Sequence, residues 1–170
     1  MNNNTFSIGI VILLLLTFFG FGLVVPSYQY QVDIVIDQPK ETSFSYFRHY
    51  DFMGEWVEGF EDVNVLEGDG YSEGSVNELY FIEDGKEKVA IETIVLHEDP
   101  DRVEIQIAYD RYVDDVEVVF KERNNHTRIT AIHTISGTNV FWKTIYFFKK
   151  GKMIAKSFLE LETLKRLIED

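Results

Sequence analysis

The sequence predicts an α+β grip behind an N-terminal membrane helix, and three observations carry that prediction. Thr5 to Val25 contains no charged residue, and the first ionic side chain of the 170-residue chain is Asp33. From Ser75 to Ile135, runs of alternating apolar residues recur about every 12 positions between tight turns, as in an antiparallel meander. From Asn139 the apolar period becomes helical and remains so to Ile168.

Composition narrows the functional classes. With 16 basic against 29 acidic side chains the net charge is −13, which repels the phosphates that dominate nucleic-acid binding. Fourteen Phe, nine Tyr and two Trp supply a core and exclude disorder. The absence of cysteine excludes disulfides, thiolate zinc sites and cysteine nucleophiles. Residues 27–170 suffice for one domain that buries roughly 70 % of its unfolded surface.

Residues 5–25 would extend about 31 Å as a helix, matching a hydrocarbon core of about 30 Å. The uncharged start Met1-Asn-Asn-Asn4 and the end Leu23-Val24-Val25-Pro26 are unlike a cleaved signal peptide. The expectation is an uncleaved single-pass anchor, residues 1–26, projecting from the domain of residues 27–170 without packing on it. Gly9, Gly20 and Gly22 permit close helix contact, although glycine is common in membrane helices. The nearest basic residues, Lys40 and Arg48, lie on the carboxyl side of the span and lean the domain towards the cytoplasm.

After Pro26, residues 28–37 alternate with Tyr28, Tyr30, Val32, Ile34 and Ile36 on one face, which predicts the first strand. Pro39 suits the first turn of a short helix, with Glu41 favourable to its dipole and Phe44, Tyr46 and Phe47 on its apolar side. Residues 51–60, with Met53, Trp56 and Val57, read as a second short helix. Gly68, Gly70 and Gly74 mark turns. Five strands are then expected at 75–82, 88–96, 102–109, 113–122 and 127–135, giving a curved sheet of six to seven strands. Gly137 ends the last of them. The long helix 139–168, with Phe148, Ile154, Phe158 and Leu161 in its inner stripe, is expected to cover the concave face, since no other segment is long enough.

The order of these elements resembles the START-like superfamily, also called SRPBCC or helix-grip, and within it the polyketide cyclase/dehydrase and lipid-transport group. The residues that carry the likeness are Ile34-Val-Ile-Asp-Gln-Pro39, then Phe44, Asp51 and Trp56, then Glu92 with Glu98-Asp-Pro-Asp-Arg-Val103, and finally His126-Thr-Arg-Ile-Thr130. Ser43, and Asn125-His126 in place of a Gly pair, depart from the family pattern. The resemblance implies a hydrophobic cavity between sheet and long helix, and a bacterial arrangement with a preceding membrane helix. It licenses a cavity and no particular reaction.

The residues themselves offer little chemistry. There is no phosphate loop, no His-Glu-x-x-His and no Gly-x-Ser-x-Gly, and the four histidines are dispersed, so neither metal nor cofactor is expected. His133 shares the more apolar face of its strand with Ile129, Ala131 and Ile135, and is expected to point inward. It serves there either as a polar handle or acid/base, or as a hydrogen-bonded packing residue. Glu92 and Glu117 are expected to face solvent, because an unpaired buried carboxylate is costly. Trp56, Tyr80, Tyr109, Trp142 and Phe148 are candidates to line the cavity. Gly151, inside a helix where glycine costs about 1 kcal/mol, either leaves volume over the cavity or breaks the helix. The expected function is membrane-anchored binding of an apolar small molecule (lipid, isoprenoid or polyketide-like). The alternatives are a cyclase or dehydratase that uses His133, and a protein-interaction module.

Overall fold

The computed structural model describes residues 3–170. Met1 and Asn2, the start of the predicted anchor, lie outside the described residues. The chain runs α1 (Asn3–Val24), β1 (Tyr28–Ile36), α2 (Lys40–Arg48), α3 (Tyr50–Trp56), β2 (Phe60–Glu67), β3 (Val76–Glu83), β4 (Lys86–Glu98), β5 (Arg102–Ala108), β6 (Tyr112–Arg123), β7 (His126–Gly137) and α4 (Val140–Glu169). The seven strands form one antiparallel sheet in the order β1-β7-β6-β5-β4-β3-β2. The connections are the short hairpins expected, and β1 joins the far end of the meander through β7.

β1 buries every second residue, with Tyr28, Tyr30, Val32, Ile34 and Ile36 inward. The register carries that inner face across the sheet: Tyr30 lies opposite His133, His133 opposite Val116, Val116 opposite Ile105 and Ile105 opposite Ile94. The strand β2 is an addition to the sequence reading, which extended the second helix over its first residue. Apart from Phe60 its residues are exposed or half-buried, so as an edge strand it offered no apolar alternation to detect.

α4 lies along β1 and is fastened to it by polar bonds. The Tyr28 hydroxyl donates to Met153 Sδ at 2.9 Å, Tyr30 and Ser157 share a hydrogen bond of 3.0 Å, and the Asp37 amide donates to Glu169 at 2.7 Å. Gly137 permits the strand-to-helix corner, because a Cβ there would lie 2.3 Å from the Lys143 amide nitrogen. Leu161, Leu164 and Ile168 fill one end of the grip together with Phe44, Phe47 and Trp56.

Two predicted features of α4 are corrected. Phe148 and Phe158 are 72 % and 44 % exposed, and the buried positions are Thr144, Ser157, Leu161, Leu164 and Ile168. The helix is apolar around much of its circumference, so sequence spacing alone did not fix its rotation. Gly151 lies on the exposed side of an unbroken helix, and a Cβ there would meet nothing within 4 Å. It neither opens the interior nor breaks the helix.

The projecting anchor is corrected as well. Of Ser7–Val24 only Gly22 is buried, yet the last two turns of α1 pack on the start of α4. Thr144 Oγ1 donates to the Phe18 carbonyl at 3.0 Å, and Phe21 meets Phe147 at 4.7 Å between ring centroids. A Cβ on Gly22 would come within 2.4 Å of Thr144 Oγ1 and the Val140 carbonyl, so glycine allows this approach.

Candidate functional site

The grip is solid at one end and looser at the other. α4 packs on β1, β7, β6, α2 and α3, and makes no comparable contact with β3–β5. Ile107, Tyr109, Tyr112 and His133 on the inner face of the sheet, and Met153 and Ile154 on α4, keep part of their surface accessible. They pack against the core without being fully buried, and mark a gap in the cover that α4 gives the middle of the sheet. The Tyr112 and Tyr146 rings, 4.4 Å apart, close one end of the gap, beside Arg111, whose guanidinium lies 4.6 Å over Trp142.

Polar groups converge in this gap. His133 Nδ1 lies 2.9 Å from Asp114 Oδ2, and the Tyr30 ring stacks on the imidazole at 4.7 Å. Asp114 is 8 % exposed, and its Oδ1 has no partner among the described residues. Burial pushes the hydroxyls of Tyr28, Tyr30, Tyr109 and Tyr112 well above the ordinary tyrosine range, and the Asp114 charge adds to the rise in all four. From α4, Glu160 accepts the Glu58 amide at 3.2 Å. Burial raises its carboxyl above the ordinary range, although Lys156 and the nearby His133 oppose the rise.

A second polar cluster lies where α2 and α3 meet β3 and β4. Glu92, fully buried, accepts hydrogen bonds from the Tyr50 hydroxyl and from Asn77 Nδ2, the latter at 2.9 Å. Arg48, 3 % exposed, places Nη1 3.8 Å from Glu92 and packs against the rings of Tyr50 and Tyr71. Asn77 Nδ2 also donates to the Gly70 carbonyl at 3.0 Å, and that oxygen lies 3.0 Å from the Tyr50 hydroxyl. Gly70 holds φ at +87°, the left-handed region open to glycine, which lets the β2–β3 loop present that carbonyl.

Glu92 is therefore a correction. Val89 and Val95, on the face of β4 opposite Glu92, are 45 % and 48 % exposed, while Ala90, Glu92 and Ile94 point inward. Partners from three other segments compensate the buried carboxylate, and none is near it in sequence. Glu117 keeps to the solvent side, 3.0 Å from Arg102.

The other predicted lining residues disperse. His133 and Tyr109 belong to the gap. Trp56 is buried in the main core, its ring centroid 5.3 Å from that of Phe47. Trp142 stands at the closed end. Tyr80, in register with Asp62 and Val89, alternates with inward Leu79 and donates its hydroxyl to Glu78 on the outer face. Phe148 and Gly151 face away from the sheet. Asp114, Glu160 and Tyr112 were missed: acidic residues read as surface, and no local pattern marked these two as different. A shallow depression of about 310 Å³ lies on the convex face between Gln29, Val95, Glu104 and Asp115, and shares no residue with the predicted cavity set. No group of His, Asp and Glu among the described residues is placed to hold a metal ion.

The profile of the pathogenesis-related protein Bet v 1 family matches residues 26–109. The fold is similar to the crystal structure of Ara h 8.0201, at TM-score 0.65 and 11 % identity, covering 84 % of this chain and 97 % of that one. It is also similar to a protein of unknown function from Staphylococcus aureus, at TM-score 0.65 and 17 % identity, covering 85 % and 96 %. The di-domain ARO/CYC BexL from the BE-7585A biosynthetic pathway matches at TM-score 0.66 and 14 % identity, covering 85 % of this chain and 51 % of BexL. Among curated proteins none matches this sequence. The helix-grip fold implied by the sequence motifs is thus present in its Bet v 1-like form, and the polyketide cyclase group is not singled out.

Proposed function

We propose, on the premise of a Bet v 1-like helix-grip domain behind an apolar helix, that this chain holds a largely apolar small molecule at a membrane. Residues 1–26 act as the anchor and residues 27–170 as the binding domain, on the cytoplasmic side. One observation carries the reading: inner-face aromatic and aliphatic side chains keep accessible surface where α4 stands off β3–β5. Small-molecule sites are mostly apolar and carry a few placed polar groups, and here those groups are Asp114, His133 and Glu160. The free Oδ1 of Asp114 suits a hydrogen-bond donor on the ligand. The hydrophobic cavity that the resemblance of the sequence motifs implies supports the same reading.

The test is mass spectrometry of an organic extract of the protein purified in mild detergent, joined to titration with a fluorescent fatty acid. Co-purified apolar molecule, or saturable dye binding weakened by Ile107→Trp, is the expected result. Extracts without ligand and no saturable binding would overturn the proposal.

The Asp114–His133 pair favours one second reading, acid/base catalysis of cyclase or dehydratase type, in a fold shared with an ARO/CYC protein. A carboxylate bonded to one imidazole nitrogen fixes the tautomer and orients the ring for proton transfer. Under this reading wild type converts the bound ligand and His133→Ala does not. Under the carrier reading the extracted ligand is chemically unchanged by either form.

A further inference from the structure

We infer that the first four turns of α4 are seated in the headgroup layer of an anionic membrane, a placement that rests on reading α1 as the span. α1 (Asn3–Val24) has 22 residues, about 33 Å of helix, so a hydrocarbon core of about 30 Å takes up nearly all of it. Contact with α4 begins at Phe18, six residues before its end: Thr144 Oγ1 donates to the Phe18 carbonyl, and Phe18 meets Phe141 at 5.7 Å. If all of Ser7–Val24 is in the bilayer, the residues of α4 beside Phe18, Phe21 and Gly22 cannot lie in bulk water. The junction is too close to be a loose tether, because Gly22 leaves no room for a Cβ.

The surface presented at that depth has the matching chemistry. Phe148 is 72 % and Phe141 43 % exposed, and Phe148 stacks on Phe21 at 5.8 Å, next to the span. Residues 140–159 contain five lysines and no acidic residue, in a chain of net charge −13. Lys150 is committed to the Gln29 carbonyl at 2.9 Å and Lys156 lies 3.8 Å from Glu160, which leaves Lys143, Lys149 and Lys152 to meet lipid phosphates. The first turn of α4 holds no acidic residue, so this end lacks the usual charge complement to a helix N-terminus. Exposed rings beside lysines, continuous with an apolar span, suit the interface between acyl chains and anionic headgroups. The basic residues that face the membrane are near the span in space and far from it in sequence.

The chain has no cysteine, so single labels are unambiguous. Full-length Phe148→Cys, Leu13→Cys and Arg123→Cys variants carry an environment-sensitive fluorophore in vesicles of phosphatidylcholine with phosphatidylglycerol. Arg123 lies at the opposite end of the sheet from Gly137 and the start of α4. Spin-labelled lipids should quench the Leu13 probe from the acyl chains and the Phe148 probe from the headgroup depth, severalfold more than the Arg123 probe. Lys143→Gln, Lys149→Gln and Lys152→Gln together should reduce Phe148 quenching to the level seen in pure phosphatidylcholine. An unquenched Phe148 probe in vesicles where the Leu13 probe is quenched overturns this seating alone. If the Leu13 probe is also unquenched, α1 does not span, and the anchor reading falls with it.

Discussion

Asp114 and His133, on the adjacent strands β6 and β7, meet at 2.9 Å on the inner face of the sheet, with the Tyr30 ring stacked on the imidazole at 4.7 Å. Their pairing puts an ionisable couple inside the grip, among the aromatic and aliphatic side chains of β1, β5 and β7. Tyr30 is bonded in turn to Ser157 of α4, so the couple reports on how the helix closes over the sheet.

Asp114→Ala should destabilise the domain by about 1–3 kcal/mol, because His133 loses its acceptor where water reaches poorly. Denaturant melts at neutral pH measure this. A variant as stable as wild type would show that solvent replaces the carboxylate.

The two strand glutamates should behave oppositely. Glu92→Ala leaves Arg48 buried without its counter-charge and should cost about 3–5 kcal/mol. Glu117→Ala, at a half-exposed pair with Arg102, should change stability by no more than about 1 kcal/mol. Equal losses in parallel melts would place Glu92 nearer the surface.

Truncation along α4 separates its faces. Leu164→Ala empties a fully buried site and should cost about 2–5 kcal/mol. Phe158→Ala, 44 % exposed, should cost clearly less than Leu164→Ala in the same melts. The reverse order would mean that the helix is rotated from the position described.

Gly151→Ala should stabilise the domain by up to about 1 kcal/mol through helix propensity, since its Cβ enters open space. Gly151→Leu should bind a fluorescent fatty acid as wild type does. Weakened dye binding in the Leu variant would bring position 151 back to the gap.

Stability should fall as pH rises through the raised Glu160 titration. Burial lifts its folded-state pKa above the unfolded value, so its contribution is complete below the ordinary glutamate range and is lost as pH climbs through the folded pKa. Glu160→Gln should remove that slope and gain stability relative to wild type towards neutral pH. Thermal melts from acidic to neutral pH test it, and parallel wild-type and variant profiles would refute it.

Much of the scaffold was legible because each signal was local. The alternation in residues 28–36 fixed which face of β1 is buried, and the helical period after Asn139 fixed the existence of α4. Gly137 marked its start because a tight corner excludes a Cβ. Such patterns depend on neighbours two to four residues away, which the sequence states directly.

Tertiary structure decided what depends on distant partners. Glu92 is buried because Arg48, Tyr50 and Asn77 reach it from other elements, against the apolar pattern of its own strand. Asp114 lies inside because register sets it two places from His133 across the β6–β7 ladder. The rotation of α4 followed from competition between sheet and α1 for its apolar surface, which turned Phe148 towards Phe21 and Ser157 towards Tyr30. Burial of a charge and rotation of a helix that is apolar on several sides are decided by the surfaces opposite them, and those surfaces exist only once the chain has folded.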